Sequence, residues 1–290
     1  GGAMLNLGKD ATFTTIADFQ GVIFRKNYST IDGGAINANI FSQVTFFNCL
    51  FEENIARQKN GGAIVLLGKN GSNPTKAQFK QVTFRKNQCN ISGGAINAND
   101  FTRSYFLNCV FEENISHTKN GGAVLILGDD GSTPSDARFI GVEFKGNHAQ
   151  GSGGAVNANV YTITVFEDCL FEKNSCEERG GGIFIRGFRR LPNKAQIKNC
   201  HFIGNMAGKM GADVAMNAVK GVTKESLIRD NKIEIKISDP DFLAEEAEET
   251  QSLLMKRSTQ HMLNDDTPME SHKLEISQIR ESYKLGTQQN

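Results

Sequence analysis

The sequence lacks a net charge, because its 290 residues contain 32 lysine and arginine residues and 32 aspartate and glutamate residues. Without a strong positive field, the composition does not favour nucleic acid or an acidic membrane surface as a partner. The chain also lacks an apolar run of about 18 residues, the shortest length typical of a membrane-spanning helix. We therefore expect no membrane insertion by this segment.

The Cys-x-x-Cys motif is absent, although the chain has six cysteines. This absence leaves a zinc site and dithiol redox chemistry without support, and we predict no metal and no cofactor. Four cysteines lie two residues before the phenylalanine of a repeated motif, which predicts small buried hydrophobic side chains: Cys49, Cys109, Cys169 and Cys200. Cys169 and Cys200 fall on neighbouring turns of the repeat, where a disulfide bond stays open but stacked thiols are favoured.

Tryptophan is also absent, whereas phenylalanine occurs 20 times. That composition is typical of a narrow core that accepts one repeated ring shape. The tripeptide Gly-Gly-Ala begins at Gly1, Gly33, Gly61, Gly93, Gly121 and Gly153, with degenerate copies at Gly181 and Gly211. The intervals mostly alternate between 32 and 28 residues, so two kinds of turn share a combined period of 60 residues.

A second motif, Phe-x-x-Asn, keeps step with the first. Its copies are Phe24/Asn27, Phe51/Asn54, Phe84/Asn87, Phe111/Asn114, Phe144/Asn147, Phe171/Asn174 and Phe202/Asn205. Self-similarity at a period of about 20–50 residues indicates a solenoid, a propeller or a helical array.

A helical array and a propeller both fit this repeat poorly. Two adjacent glycines would cost a helix interior about 1 kcal/mol each relative to alanine, and a propeller blade needs about 40 residues. Apolar residues instead alternate at strand spacing, as in Phe47, Cys49 and Phe51. We therefore predict an all-β fold, a right-handed parallel β-helix solenoid of about eight coils with a helical or disordered C-terminal tail.

Each motif residue has a structural role in such a solenoid. Stacked coils place like residues over like, so the motif phenylalanines would form one internal column. Each asparagine would lie in a turn, where its amide bonds the equivalent asparagine above and below. The glycines would allow a positive φ or a close backbone approach at a sharp corner.

The pairing of Gly-Gly-Ala-Ile with Phe-x-x-Asn resembles the signature repeats of the chlamydial polymorphic outer membrane proteins. Similar repeats occur in large surface proteins of single-celled eukaryotes, and the resemblance covers about residues 1–218. The resemblance implies an adhesin-like or surface-display β-helix without catalysis, at the cell surface or outside the cell. The cysteines leave a cytoplasmic location open, in which the chain would be an intracellular scaffold.

The sequence divides into three predicted regions. Residues 1–218 would form the β-helix with alternating 32- and 28-residue coils, residues 219–238 a capping strand region, and residues 239–290 a charged helical or disordered tail. The chain begins inside a repeat without an initiating methionine, so we expect it to be a piece of a longer protein.

Candidate contact residues lie on two polar loops of the longer coils, at 68–74 and 128–134. Their composition predicts turns that protrude from one edge of the solenoid. Repeat proteins often bind along the face where insertions cluster. Lys69, Asn70, Asp129 and Asp130 are therefore our candidate contacts for a protein or glycan ligand.

Pairs of asparagines recur only on the shorter coils, at Asn37/Asn39, Asn97/Asn99 and Asn157/Asn159. The longer coils carry Val65/Leu67 and Leu125/Leu127 in the same columns. The sequence leaves open whether these columns face outward, as a contact surface, or inward, as a second ladder.

A carbohydrate-active enzyme is the main functional alternative, because polysaccharide lyases and pectin-degrading hydrolases share the β-helix. Such chemistry needs acidic and basic groups that converge on one groove. Acids such as Glu52-Glu53 and Glu112-Glu113 are copied by the repeat and so reflect the fold. The off-pattern residues are Arg186, Arg189, Arg190 and His201, which follow Glu177-Glu178-Arg179 and which we attribute to decay of the repeat near its end. We predict no catalytic residue.

A regular threonine surface, such as ice binding needs, is not indicated. We interpret Thr162 and Thr164 as having no counterparts on other coils.

Overall fold

The computed structural model describes residues 2–7, 14–69, 71, 73–128, 133–186, 193–217, 227–229 and 232–236. Over these residues the protein is an all-β parallel solenoid of about seven turns that contains no helix. The predicted solenoid is confirmed, and the predicted eight coils correspond to these turns and one further strand on a single face.

The described residues form strands that are numbered here in chain order. The first turns contain β1 (Met4–Leu7), β2 (Thr15–Gln20), β3 (Ile23–Arg25), β4 (Tyr28–Ser29), β5 (Ile36–Asn39), β6 (Ser42–Phe47), β7 (Leu50–Glu52), β8 (Ile55–Ala56), β9 (Ile64–Leu67) and β10 (Thr75–Lys80). The middle turns contain β11 (Thr83–Arg85), β12 (Gln88–Cys89), β13 (Ile96–Asn99), β14 (Thr102–Leu107), β15 (Val110–Glu112), β16 (Ile115–Ser116), β17 (Val124–Leu127), β18 (Ser135–Ile140), β19 (Glu143–Lys145) and β20 (His148–Ala149). The last turns contain β21 (Val156–Asn159), β22 (Thr162–Glu167), β23 (Leu170–Glu172), β24 (Ser175–Cys176), β25 (Ile183–Arg186), β26 (Lys194–Ile203), β27 (Met206–Ala207), β28 (Val214–Asn217), β29 (Leu227–Arg229) and β30 (Lys232–Lys236).

The strands stack into four faces that run along the solenoid axis. Face A contains β1, β5, β9, β13, β17, β21, β25 and β28, and face D contains β4, β8, β12, β16, β20, β24 and β27. Face B contains β2, β6, β10, β14, β18 and β22, face C contains β3, β7, β11, β15, β19 and β23, and the long strand β26 belongs to both. Neighbouring strands are parallel, so each residue lies about 4.8 Å from its equivalent on the next turn.

The last turn carries an added antiparallel edge. Strand β30 pairs with β26, and β29 pairs with β30. A strand therefore lies within the predicted capping region 219–238. The helical or disordered tail predicted for 239–290 lies outside the described residues, and the division of the chain into three regions remains a prediction.

The motif phenylalanines form the predicted internal column. They are buried, and successive rings are stacked with centroids 4.6–5.0 Å apart. This separation is close to the strand spacing, so one ring shape repeats without strain. Complete burial of each ring stabilises the fold by about 1.5–3 kcal/mol. The column runs through Phe24, Phe51, Phe84, Phe111, Phe144, Phe171 and Phe202.

A second phenylalanine column lies on face B, and it corrects one sequence-based interpretation. Its members precede the motif phenylalanine by five residues: Phe19, Phe46, Phe79, Phe106, Phe139 and Phe166. Each ring meets the motif ring of its own turn edge to face, as Phe46 meets Phe51 with centroids 5.3 Å apart. The sequence predicted that Phe47, Cys49 and Phe51 alternate at strand spacing, but Phe47 ends β6, Phe51 lies in β7, and Phe47 is 42% exposed. The positive φ of Asn48 turns the corner between faces B and C and changes which residues face inward.

Hydroxyl side chains line the start of the face-B strands from β2 to β22, which overturns the statement that Thr162 has no counterparts. Its column runs through Thr15, Ser42, Thr75, Thr102 and Ser135. Thr164 lies in the inward column that contains Ser104. Thr162 and Thr164 are each 1% exposed, so these threonines belong to the interior rather than to an outer array.

The two glycines at each corner have different roles. At Gly93 the backbone adopts φ +71°, a left-handed conformation that side chains rarely tolerate. At Gly94 a Cβ atom would lie 2.0 Å from the carbonyl oxygen of Gly122 on the next turn. In the seventh copy, which is degenerate, the equivalent pair is Gly180-Gly181, one residue earlier than the spacing predicted, because Val156 pairs with Ile183.

Candidate functional site

The asparagine ladder is the most regular polar feature of the interior. Each side-chain nitrogen donates to the side-chain oxygen of the next asparagine at 2.9–3.0 Å. These bonds confirm the predicted ladder, and it serves the fold because the amides are used within the chain. Its members are Asn27, Asn54, Asn87, Asn114, Asn147, Asn174 and Asn205.

Asn147 and Asn174 show that the predicted bonding of the ladder was incomplete. The sequence predicted bonds only between each asparagine and its equivalents above and below. In the structure the side-chain nitrogen of Asn147 also donates to the carbonyl oxygen of Phe111, and that of Asn174 to the carbonyl oxygen of Phe144, both at 2.9 Å. The backbone N–H of Asn147 further donates to Oδ1 of Asn174 at 3.0 Å. Each ladder amide therefore also forms hydrogen bonds with backbone groups of the neighbouring turn, which the motif spacing does not reveal.

Asp213 ends this ladder. Among the described residues no further asparagine follows Asn205 in the ladder, and its side-chain nitrogen donates to Oδ1 of Asp213 at 3.0 Å. Asp213 is fully buried, and its Oδ2 has no hydrogen-bond partner. Burial raises the pKa of the Asp213 carboxyl to about 7, although the hydrogen bond from Asn205 opposes this shift.

The predicted contact loops are only partly described. Lys69 is exposed, whereas Asn70, Asp129 and Asp130 lie outside the described residues. A Cβ atom at Gly71 would lie 1.9 Å from Oγ1 of Thr133, so loops from turns two apart contact each other. Their role as contact residues remains a prediction.

The asparagine pairs of face A lie on its outer side. Ile36 and Ala38, between which Asn37 lies, both belong to the core. Asn97 and Asn157 are nonetheless 1% exposed, and their side-chain nitrogens donate to the corner carbonyls of Ser92 and Ser152. The side-chain oxygens of all six asparagines are buried without a partner.

Some of the charged residues that depart from the repeat pattern lie together in one pocket. Glu177, Glu178, Arg179 and Arg186 line one open pocket of about 660 Å³ on the outer side of the last turns, together with Phe184. Arg189 and Arg190 lie outside the described residues, and His201 lies on face C rather than in this pocket.

The carboxylate that is best held in this pocket is Glu178. Lys209 donates to it at 2.9 Å, and this hydrogen bond is the main reason that the pKa of Glu178 lies below its ordinary value. A general acid for glycoside cleavage needs the opposite shift. The geometry therefore suits an ion-paired binding surface better than proton donation.

Alternating charges form a ladder on the outer side of face C that sequence reasoning missed. The column runs through Arg25, Glu52, Arg85, Glu112, Lys145 and Glu172. Glu52 accepts hydrogen bonds from both Arg25 and Arg85, and the bond from Arg85 is the main reason that the pKa of Glu52 is lowered. The 60-residue period of the sequence was the signal that could have revealed this ladder, because its positions carry opposite charges on successive turns.

A groove of about 790 Å³ follows the corner between faces C and D. Its lining includes Tyr28, Ile55, Gln88, Ile115 and His148, which are equivalent positions on successive turns. The neighbouring column also alternates in charge, with Lys86 3.4 Å from Glu113.

A cluster of cations on face B was also missed, because its members lie on three strands at separate places in the sequence. We call Lys76, Arg103 and Arg138, with Tyr105 and Gln78, the face-B cationic cluster. These residues line a shallow depression of about 170 Å³, which Asp136 also borders.

The six cysteines are buried and form no disulfide bond. Burial raises the pKa of the Cys89 thiol to about 12 and that of the Cys109 thiol to about 11. Among the described residues, no group of three or more histidine, cysteine or acidic side chains has the arrangement of a metal site. No helix in the described part of the chain has the length and apolar character needed to cross a membrane.

Comparison with known proteins identifies the repeat. The Chlamydia polymorphic membrane protein repeat matches residues 48–66, 81–99, 141–159 and 168–186. Each matched segment starts near the motif phenylalanine and ends in the face-A strand that follows the glycine corner. No curated protein and no solved structure matched the chain in the corresponding searches. The protein is thus a parallel β-solenoid in which four segments match the Chlamydia polymorphic membrane protein repeat.

Proposed function

We propose that this chain is a non-catalytic contact module of a larger surface protein, in which a rigid rod displays side chains to a protein or glycan. The repeat family is consistent with an adhesin-like structural protein at the outer membrane or cell surface. About seven turns at the strand spacing make a rod roughly 35 Å long.

The observation that carries this proposal is the difference between inner and outer columns. The main inward columns repeat one chemistry on every turn, as the motif phenylalanines and ladder asparagines do. The outer column that starts face B instead reads Ile16, Gln43, Lys76, Arg103, Asp136, Ile163 and Lys194. Because packing does not dictate these outer residues, they are available to determine what the rod contacts.

A carbohydrate-active enzyme is the second candidate, and the pocket that holds Glu178 and Arg186 is the feature that favours it. Its acids and bases come from the turns where the repeat decays, so they are not simply copies of the repeat. The lowered pKa of Glu178 argues against a general acid there.

The test is a cell-surface and glycan-array binding assay on the full chain, run beside a polysaccharide depolymerisation screen. The expected result is saturable binding without release of new reducing ends or unsaturated sugars. Polysaccharide cleavage that is lost in Arg186→Gln would overturn the proposal in favour of the enzyme. Absence of both binding and cleavage would leave a structural spacer and would also overturn it.

A further inference from the structure

The face-B cationic cluster brings together residues from three neighbouring strands. Lys76 of β10 pairs in register with Arg103 of β14, and Tyr105 pairs with Arg138 of β18. All of these side chains face outward, because Ala77 of β10 is buried between Lys76 and Gln78. Three cations therefore surround one tyrosine on a flat surface.

The arrangement of these cations differs from that of the other charged columns. On face C, Glu52 lies between Arg25 and Arg85, so each charge has an opposite neighbour. On face B, Arg103 has Asp136 in register on one side, but on the other side it lies directly opposite Lys76, a like charge, which is destabilising in a sheet. Neither side chain forms an ion pair with another described residue. The Lys76–Arg103 pair adds no stability to the fold, whereas both cations are placed to bind an anionic ligand.

The groups around the cations suit a sugar. The ring of Tyr105 is half-buried and offers an apolar face with a polar hydroxyl. Gln78 lies beside it in register and supplies an amide that can donate and accept hydrogen bonds. Arg103 and Arg138 have the planar donor geometry that binds carboxylate or sulfate oxygens in pairs.

The size of the cluster favours a saccharide over a nucleic acid. Three adjacent strands span only about 10 Å across the sheet and offer three cations, whereas a nucleic-acid-binding protein with strongly salt-dependent affinity makes roughly 6–10 phosphate contacts. The chain as a whole has no net charge, and the cluster offers a single aromatic side chain rather than a row of stacking platforms.

We propose that the face-B cationic cluster is the binding site for an acidic polysaccharide, whose carboxylate or sulfate groups contact Lys76, Arg103 and Arg138 while a pyranose ring packs on Tyr105. This assignment rests on the proposed contact function and names its ligand class. Asp136 lies 3.7 Å from Arg138 and beside Arg103 in register, so one carboxylate borders the three cations and the site keeps a net positive charge.

The first experiment measures binding of the full chain to a heparin-derived octasaccharide and to an oligogalacturonate of equal length by calorimetry. A neutral malto-oligosaccharide of that length is the ligand control. Preference for the sulfated or the carboxylated probe distinguishes the two sources of negative charge, and either preference supports the site. Equal binding of the neutral probe would overturn it.

The decisive variant is Lys76→Gln/Arg103→Gln, which uses a residue that this column already contains at Gln43. We expect binding to weaken by about tenfold or more. The matched control is Lys59→Gln/Lys194→Gln, which removes the same charge at two exposed sites outside the cluster. Equal weakening in both double variants would show nonspecific charge attraction and would overturn the site.

The variant Tyr105→Gln distinguishes a saccharide from other polyanions, because it removes the ring on which a sugar would pack. The column of Tyr105 already contains Gln78 and Gln196, so glutamine is compatible with the fold there. We expect it to weaken octasaccharide binding several-fold at all salt concentrations, whereas the loss in the double-cation variant depends strongly on salt. Tighter binding of a single-stranded oligonucleotide of equal charge would overturn the assignment to a saccharide. If the chain still adheres to cells while no acidic saccharide binds, the proposed contact function stands and only this inference fails.

Discussion

At the scale of single residues, the asparagine ladder makes each amide indispensable to its neighbours. Asn87 accepts from the backbone and side-chain nitrogens of Asn54, and donates to Phe51 and Asn114. Asn87→Leu would leave these buried polar groups unpaired, at about 1–3 kcal/mol for each unsatisfied group. We expect a loss of several kcal/mol, measured as a lower denaturant midpoint of the full chain.

The control for this variant is Asn99→Leu. Asn99 lies on the outer side of face A with Leu67 and Leu127 beside it in register, and its side-chain oxygen has no partner. We expect a midpoint unchanged or slightly higher. If the two variants were equally destabilised, the ladder would have no special role.

The second residue-scale prediction concerns Asp213 and pH. Its folded pKa of about 7 lies above the ordinary value of about 3.9. The folded state therefore keeps a proton that the unfolded state releases, so the stability contributed by this group is complete below pH 4 and is lost as pH rises to about 7. We expect the wild-type melting temperature to fall between pH 5 and pH 8.

Asp213→Asn removes this dependence, because the amide stays neutral and its oxygen can still accept from Asn205. The variant should be more stable than wild type at pH 8, by a few kcal/mol at most, and the difference should shrink at pH 5. Melting curves at the two pH values measure this. An identical slope for both proteins would contradict a raised pKa at Asp213.

At the scale of strands, two charged columns should contribute unequally to stability: the ladder on the outer side of face C, which contains Glu52, and the neighbouring column, which contains Glu113. Glu52 is 5% exposed and accepts from two arginines, whereas Glu113 has one lysine partner at 3.4 Å and is largely exposed. Glu113→Gln should change stability by about 0.2–1 kcal/mol, as exposed pairs do. Glu52→Gln should lower the denaturant midpoint clearly more.

A double-mutant cycle tests the origin of that difference. Combining Glu52→Gln with Arg85→Gln should cost less than the sum of the two single changes, since each removes the same contact. Additive losses would mean that Glu52 acts through packing rather than through its ion pairs.

Strand boundaries show why the sequence predicted some elements better than others. The strands around the motif phenylalanines and glycine corners were predictable because those residues recur in one frame. The second phenylalanine column recurs equally well, but its alternation with Phe51 is interrupted at Asn48. A single left-handed residue reverses which side chains face inward, and non-glycine residues give no strong sequence signal for it.

At the scale of the whole molecule, closure of the solenoid removes every cysteine from solvent. The six thiols are buried, and burial raises the pKa of Cys176 to about 11, so thiolate is scarce in the native chain. We expect a thiol reagent at pH 8 to label the native protein very slowly and all six cysteines rapidly in denaturant.

Lys59→Cys supplies the positive control, because this position is exposed. The added thiol should react rapidly in the native state, with one equivalent of reagent bound per chain. Rapid labelling of the unaltered chain would mean that a coil opens easily, contrary to a continuous packed core.

The sequence by itself determined the parallel solenoid, the coil period and the asparagine ladder, because stacking in register requires the same residue at the same place on every turn. Only the tertiary structure decided the side of face A on which Asn97 lies, the end of the ladder at Asp213, and the meeting of Lys76 with Arg103 and Tyr105. These features depend on which strand lies beside which and on the corner angles. Outer columns need not repeat, and the face-B column that contains Lys76 and Arg103 leaves no period in the sequence to read.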